Sequence, residues 1–288
     1  MKSLPTTSEF IKKYGLDAKK SLGQNFILDK NFTDKIAKAA LNDGFQDFSN
    51  DTILEIGAGP GSLTRSILDL NPKKLIVIEK DERCIKILQE MQEFYGVEKL
   101  EIINGDALKI SENDIFANVF SSGEKIKIIA NLPYNIGTIL LIKWLKMAPK
   151  ILSMTLMLQK EVAQRIAANF ESKDYGRLAI MTQNFAQAKI LFHVNQSVFT
   201  PPPKVVSSVI QIKPYEKPLF NIEFKKLERT VAAAFNQRRK MIKSSLKAFD
   251  FIDEIDAQKA LEKVGIKNEL RAENVTIKQF CDLAKLAK

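Results

Sequence analysis

Thr52-Ile53-Leu54-Glu55-Ile56-Gly57-Ala58-Gly59-Pro60-Gly61-Ser62 is the stretch that decides the fold. A short apolar, β-branched run enters three glycines within five residues, and a helical pattern follows over 62–70. Glycine in such a strand-to-helix turn lets the backbone approach a ligand closely. About 20 residues further on, Glu79 ends the next apolar run, where a carboxylate can accept hydrogen bonds from both hydroxyls of a ribose. Asp106, in Asn104-Gly105-Asp106-Ala107, ends a third run. The ligand expected here carries an adenosine. No lysine follows the glycines, which argues against a nucleoside-triphosphate loop, and a tight turn without any ligand is the plain alternative.

Outward from that turn, apolar runs at 52–56, 75–78, 100–103, 126–130 and 154–158 alternate with helical patterns. That alternation marks right-handed βαβ units. A helix is expected over 81–94, with Ile85, Leu88 and Met91 at spacings of three. Two further runs, at 190–194 and 205–212, are joined by Pro201-Pro202-Pro203 instead of a helix and predict an antiparallel edge hairpin. Past Pro214 and Pro218 the strand signals stop, and helices are expected over 223–235, 237–249, 256–264 and 276–287, with Gly265 as a C-cap. The expectation is an α/β, Rossmann-like domain over 1–214, its sheet mostly parallel with an antiparallel edge hairpin, and a small all-helical domain over 215–288.

Composition narrows the function. With 288 residues, 45% hydrophobic and 27% charged, the chain can bury a sizeable core, which argues against disordered and collagen-like classes. Cys84 and Cys281 cannot make a disulfide scaffold and are expected as reduced thiols. Lys and Arg number 44 against 34 Asp and Glu, and the resulting charge of +10 favours a polyanionic partner, nucleic acid first. A single histidine, His193, leaves no zinc-binding pair, and no metal site is expected. No secretory or transit signal is visible at the start. The longest uncharged stretch, 128–142, is broken by Asn131, Pro133, Tyr134 and Asn135 and is too short to span a membrane. A cytoplasmic protein is expected.

The glycine turn alone does not separate a nicotinamide cofactor from S-adenosylmethionine. The choice is tipped by Ala130-Asn131-Leu132-Pro133-Tyr134-Asn135 at the end of the fourth run. An exocyclic adenine amine is a poor nucleophile because its lone pair is delocalised into the ring. The side-chain oxygen of Asn131 and the carbonyl of Leu132 or Pro133 can accept from its two hydrogens, drawing the nitrogen toward tetrahedral geometry and aiming its lone pair at a methyl group. Tyr134 would stack on a base taken out of its helix, and Phe199, in Val198-Phe199-Thr200-Pro201-Pro202-Pro203-Lys204, is the candidate second aromatic. For both rings the alternative is ordinary core packing.

At these residues the chain resembles the ribosomal RNA adenine N6,N6-dimethyltransferases, the kasugamycin-sensitivity enzymes of bacteria, over nearly its whole length. The resemblance is carried by Lys20-Ser21-Leu22-Gly23-Gln24-Asn25-Phe26-Ile27, the turn from Glu55 to Gly61, Glu79 to Asp81, Gly105-Asp106-Ala107, Asn131 to Asn135, Phe199 to Val205, and Phe235-Asn236-Gln237-Arg238-Arg239-Lys240. It implies an S-adenosylmethionine-dependent methyltransferase with the cofactor held by Asn25, Ile27, Gly57, Glu79, Asp106 and Asn131. The roles of Asn25 and Ile27 come from the resemblance alone. The implied substrate is two adjacent adenosines in the hairpin near the 3′ end of 16S, small-subunit, ribosomal RNA, each receiving two methyl groups. One departure is Val206, where the resemblance leads one to expect Asp; a change in local bonding rather than in activity is anticipated.

From Lys225 to Lys247 eight basic residues face one acid, Glu228, a local charge of +7. A run so one-sided predicts contact with RNA phosphates, which position a substrate without reading its sequence. Arg238, Arg239, Lys240 and Lys204 are the candidate RNA-binding residues, and Lys12, Lys13, Lys19 and Lys20 could extend that surface. The immature small ribosomal subunit is the expected partner and a monomer the expected state, since basic faces repel one another. Three alternatives stand beside this reading: a large-subunit ribosomal RNA methyltransferase of the macrolide-resistance type, a mainly non-catalytic ribosome-assembly factor, and, more distantly, a nicotinamide oxidoreductase.

Overall fold

The computed structural model describes residues 4–18, 24–41, 44–237 and 239–288. They divide into two compact units, one of residues 1–163 and 189–213, the other of residues 164–188 and 214–288. Among the described residues the strands are β1 (Phe26–Ile27), β2 (Thr52–Ile56), β3 (Lys74–Glu79), β4 (Leu100–Asn104), β5 (Ile126–Asn131), β6 (Ile151–Gln159), β7 (Ala186–Val194), β8 (Phe199–Thr200) and β9 (Ser207–Pro214). β4-β3-β2-β5-β6-β9-β7 make one sheet, and β1 pairs with β8 in a separate two-stranded ribbon.

The pairs β2·β3, β3·β4, β2·β5 and β5·β6 are parallel, while β6·β9 is antiparallel. The expected parallel sheet with an antiparallel edge is therefore present, with β9 seated between β6 and β7. All five residues of β2 are buried, as a strand covered on both faces requires, and this is why the sequence reads there as a mostly apolar run, interrupted by Glu55. The strand order reverses between β2 and β5. Ligands of open α/β sheets bind beyond the carboxyl ends of the strands at such a reversal, and the glycine turn and the Asn131 loop leave those two ends.

Helices of the first unit are α1 (Thr7–Lys13), α2 (Lys30–Ala39), α3 (Ser62–Leu68), α4 (Glu82–Tyr95), α5 (Glu112–Ile115), α6 (Ala117–Ser121) and α7 (Gly137–Leu145), followed by α8 (Lys160–Ile166) at the crossing to the second. α4 starts at Asp81, whose carboxylate accepts the Arg83 N–H at 3.1 Å, and buries Cys84, Ile87, Leu88 and Met91. That stripe follows helical spacing and makes Cys84 a core residue, while Ile85 is half-buried.

The second unit contains α9 (Arg177–Phe185), α10 (Phe224–Phe235), α11 (Ile242–Ser245), α12 (Ala257–Lys263) and α13 (Ile277–Lys285). The structure divides the chain differently from the expected 1–214 and 215–288, because residues 164–188 join the helical unit. The Phe185 ring lies 5.0 Å from Phe224, Asn184 exchanges hydrogen bonds with the backbone of Phe220, and the Tyr175 hydroxyl donates to the Val275 carbonyl at 3.1 Å. The helix expected over 237–249 shrinks to the four residues of α11. Met241 is extended there, the Ile242 N–H is taken by the Leu270 carbonyl at 2.7 Å, and like charges at helical spacing, as Arg239 with Lys243, oppose a longer helix.

Candidate active site

Beyond β2 the chain turns through Gly57 and Gly59 at φ of +69° and +55°, the left-handed region that side chains with a Cβ avoid. Glu79, at the end of the neighbouring strand, closes the turn: its Oε2 accepts the Gly59 N–H at 2.8 Å. Its Oε1 accepts the N–H groups of Lys80 and Asp81 at 2.7 and 2.8 Å. Three of about four acceptor sites on the carboxylate are thus engaged by backbone, and one remains for a ligand. The Asp81 carboxylate in turn accepts from Arg83 and from Gln24 Nε2, the latter at 2.9 Å, and these bonds, Arg83 foremost, hold its pKa down at about 2.

Two further acids border this turn. Asp106 accepts the Leu108 N–H at 3.0 Å and faces Lys80 Nζ at 3.2 Å, and these two contacts hold its carboxyl below the usual carboxylate range. Glu55 is 1% exposed, and its Oε2 finds no hydrogen-bond partner among the described residues. Burial, opposed in part by the Thr64 hydroxyl, pushes the Glu55 carboxyl up to about 8.

The Asn131 loop leaves the end of β5, beside the glycine turn. The Leu132 N–H donates to the Met157 carbonyl at 3.3 Å and the Ile136 N–H to the Pro133 carbonyl at 3.1 Å, so the peptide run from 131 to 136 is pinned at both ends. A Cβ added at Gly57 would stand 3.6 Å from Pro133 Cδ, which places this turn and this loop within van der Waals reach. Leu132 is buried, while Asn131, Pro133 and Tyr134 are half-buried. The Tyr134 hydroxyl lies 2.8 Å from Ser207 Oγ at the start of β9, and burial raises its pKa, the Ser207 bond acting against it.

A third wall comes from far away in sequence. In the β1·β8 ribbon Phe26 pairs with Thr200 and Ile27 with Phe199, antiparallel. Phe199 is 2% exposed, packs in the core and is among the residues that line the cavity.

One cavity of about 280 Å³ is lined by Asn25, Ile27, Gly57, Glu79, Asp106, Asn131, Leu132, Pro133, Tyr134 and Phe199 together. Every residue that the sequence points to for cofactor or target chemistry therefore meets at one place. Leu108, Phe26 and Gln24 also line the cavity and went unassigned. Leu108 had a local signal, an apolar side chain two residues past an acid, whereas Phe26 sits inside a quoted segment without a role.

The basic residues are not gathered in this way. Lys204, Arg239 and Lys240 are exposed, and Arg238 lies outside the described residues, as do Lys19 and Lys20. Part of the basic run is used inside the helical unit: Lys226 donates to the Ala287 carbonyl at 2.7 Å, Arg229 to the Lys288 carbonyl at 2.9 Å, and Lys243 to Gln258. Lys13 is held by Glu90 of α4. Val206 is exposed at 38%, and its carbonyl accepts the Lys160 N–H at 2.8 Å, a backbone bond that does not depend on the side chain the position carries.

The cavity suits a cationic adenosine derivative. Its wall carries the carboxylates of Glu79 and Asp106, and beside them Glu55, which burial keeps protonated at neutral pH, has an oxygen without a partner among the described residues. Asn25, Ile27, Gly57, Glu79, Asp106 and Asn131 are the residues that could hold S-adenosylmethionine there.

Comparison with known proteins agrees with this geometry. The family model for ribosomal RNA adenine dimethylase matches residues 15–288. The ribosomal RNA small subunit methyltransferase A of Agrobacterium fabrum is 45% identical over 284 residues, covering 98% of this chain and 97% of that protein. The protein of the same name from Azorhizobium caulinodans is 46% identical, covering 98% and 92%. Among solved structures, a dimethyladenosine transferase from Plasmodium falciparum superposes with a TM-score of 0.72 at 28% identity, over 90% of this chain and 95% of that one. The 23S rRNA methyltransferase ErmE gives a TM-score of 0.62 at 25% identity, over 91% and 98%.

Proposed function

The chain belongs to the ribosomal RNA adenine dimethylase family, and from that premise we propose that it transfers methyl groups from S-adenosylmethionine to the N6 amines of two adjacent adenosines in the 3′-terminal hairpin of 16S ribosomal RNA, two to each. The observation that carries the reading is the single cavity in which the Gly57 turn with Glu79 faces the Asn131-to-Tyr134 loop.

Asn25, Ile27, Gly57, Glu79, Asp106 and Asn131 hold the cofactor, with the remaining acceptor site of Glu79 for the ribose. The cofactor, when bound, supplies an electrophilic methyl group on a sulfonium. Asn131 and the carbonyl of Leu132 or Pro133 accept from the two hydrogens of the target amine, which localises its lone pair. The Pro133 carbonyl already serves Ile136, which leaves it one lone pair for this task. Tyr134 stacks on the extruded base and Phe199 bounds it on another side. The sulfonium's bond to the methyl carbon would break to leave the neutral thioether, and the methylated amine would release its proton to solvent, so no strong base is required.

Lys204, Arg238, Arg239 and Lys240 contact phosphates and set the position of the hairpin. No helix among the described residues is long and apolar enough to cross a membrane. The protein acts as a monomer in the cytoplasm, on small subunits late in their maturation.

The test is methyl transfer from labelled S-adenosylmethionine to small ribosomal subunits lacking the hairpin modification, with large subunits and Asn131→Ala protein as controls. Label appearing as N6,N6-dimethyladenosine in that hairpin, and lost with Asn131→Ala, is the expected result. Label confined to large-subunit RNA keeps the mechanism and overturns the substrate. Tight subunit binding without any label points to an assembly role.

A further inference from the structure

The turn that carries Asp106 is held from behind by an ion pair between the half-buried Lys143 and the buried Glu112. Lys143 of α7 donates from Nζ to the carbonyls of Ala107, at 3.1 Å, and of Ile110, and lies 2.7 Å from Glu112 Oε2. The other oxygen of Glu112 accepts the indole N–H of Trp144 at 2.7 Å. Glu112 is 2% exposed and Trp144 is fully buried, so removing the lysine takes this counter-charge from a buried carboxylate.

The turn itself has no slack. The Asp106 carbonyl accepts from Lys109 and Ile110 at 2.8 and 3.2 Å, and a Cβ on Gly105 would come within 2.7 Å of Ile110 Cδ1. A shift of the Ile110 backbone is therefore felt at Asp106, whose carbonyl its N–H bonds. Asp106 and Leu108 form part of the cavity wall, whereas Lys143, Glu112 and Trp144 do not line the cavity. α7 is also the helix that follows directly on the Asn131 loop.

We propose that Lys143, acting with Glu112, is a positioning residue for the cofactor: it fixes the wall formed by Asp106 and Leu108 and ties that wall to the helix behind the target loop. The proposal rests on the reading of this cavity as the S-adenosylmethionine site. A group acting through that wall changes cofactor affinity and leaves the chemical step alone once cofactor saturates.

The experiment compares wild type with Lys143→Met, which keeps the apolar stem, and Lys143→Arg, which keeps the charge. Methyl transfer gives KM for S-adenosylmethionine and kcat, and the emission of Trp144, the chain's one tryptophan, reports S-adenosylhomocysteine binding beside the pair. Lys143→Met is expected to raise KM and the analogue's Kd about 10-fold with kcat within about 2-fold, and Lys143→Arg to recover most of the affinity. A normal KM in Lys143→Met, or a kcat that falls with KM unchanged, overturns the positioning role. Should Lys143→Met fail to fold, Glu112→Gln keeps an acceptor for Trp144 and removes the charge facing Lys143; it must show the same rise in KM, and a normal KM there overturns the role equally. If wild type itself neither binds S-adenosylhomocysteine nor transfers methyl, the cofactor reading falls and this inference with it, an outcome distinct from a normal wild type with an unaffected variant.

Discussion

The Tyr134 hydroxyl lies 2.8 Å from Oγ of Ser207, a residue with no exposed surface at the first position of β9. The bond anchors the tip of the one half-buried aromatic in the Asn131 loop to the sheet, so the direction of the ring is set before any base arrives. A stacking platform fixed in advance spares the ordering cost of building it on binding.

Replacing Tyr134 by Phe keeps the ring and removes the anchor. A hydrogen bond of this kind contributes about 0.5–1.5 kcal/mol, so single-turnover methyl transfer at saturating cofactor is expected to slow roughly 2- to 10-fold. Tyr134→Ala removes the platform as well, and base stacking worth about 1–3 kcal/mol adds a further loss of roughly 10-fold or more. An Ala variant as fast as wild type would show that Tyr134 only packs.

Glu79 closes the glycine turn and is the proposed ribose contact, and one substitution tests both. Its carboxylate accepts three backbone N–H groups, from Gly59, Lys80 and Asp81, and a glutamine amide offers a single acceptor oxygen. Glu79→Gln is expected to lower the melting temperature and to weaken S-adenosylhomocysteine binding about 10- to 100-fold, the range for losing a hydrogen bond to a charged group. Calorimetric titration beside a thermal melt checks both. A lowered melting temperature with unchanged affinity would leave Glu79 as a turn-closing residue without a ribose contact.

The reasons these features can be read from the sequence, and others cannot, are physical. Parallel strands covered on both faces are largely apolar runs, so β2, β3 and β5 announce themselves, and a glycine turn at a strand end has few other uses. Asn131, Leu132, Pro133 and Tyr134 are contiguous, so the candidate target residues can be read from one loop. Phe199 is legible from its proline-stiffened segment, but its pairing with Ile27 is not, because β1 and β8 are two residues each and separated by most of the first unit. The assignment of residues 164–188 to the helical unit depends on side-chain packing, as of Phe185 on Phe224, and no local signal distinguishes that partner from a strand of the sheet. The 237–249 stretch failed for the opposite reason: its helical pattern is real, and repulsion among its own cations, with the Leu270 carbonyl competing for Ile242, overrides it.

Two buried acids give the stability of the fold opposite pH dependences. Asp81 is held near 2 against an ordinary 3.8, so it contributes stability above that ordinary value and loses it as pH falls from there toward 2. Glu55 is raised to about 8 from 4.5; between those values the folded chain keeps a proton that the unfolded chain has lost, so unfolding releases a proton and stability falls as pH rises. Each unit of such a shift is worth about 1.4 kcal/mol. The melting temperature measured without cofactor is expected to decline from about pH 5 to pH 8, and Glu55→Gln, which has no proton to lose, is expected to flatten that decline. Parallel curves for the two proteins would mean that Glu55 does not keep its proton in the fold.

The basic run of the helical unit divides into residues that hold it together and residues free to meet RNA. Lys226 and Arg229 donate to the last carbonyls of the chain, so replacing both by Ala is expected to lower the melting temperature and to leave the salt dependence of RNA binding almost unchanged. Arg239 and Lys240 are exposed, and with Arg238 they form the candidate phosphate contact. Each phosphate contact contributes roughly 0.7–0.9 to the slope of log affinity against log salt, so Ala at all three positions is expected to flatten that slope by about 2 and to weaken binding at low salt most. Filter binding of the hairpin RNA over a series of salt concentrations measures both variants. If the triple variant keeps the wild-type slope, the phosphates are met elsewhere and Arg238, Arg239 and Lys240 serve solubility. If the Lys226 and Arg229 variant alone flattens it, the residues that cap the chain's end also face the RNA.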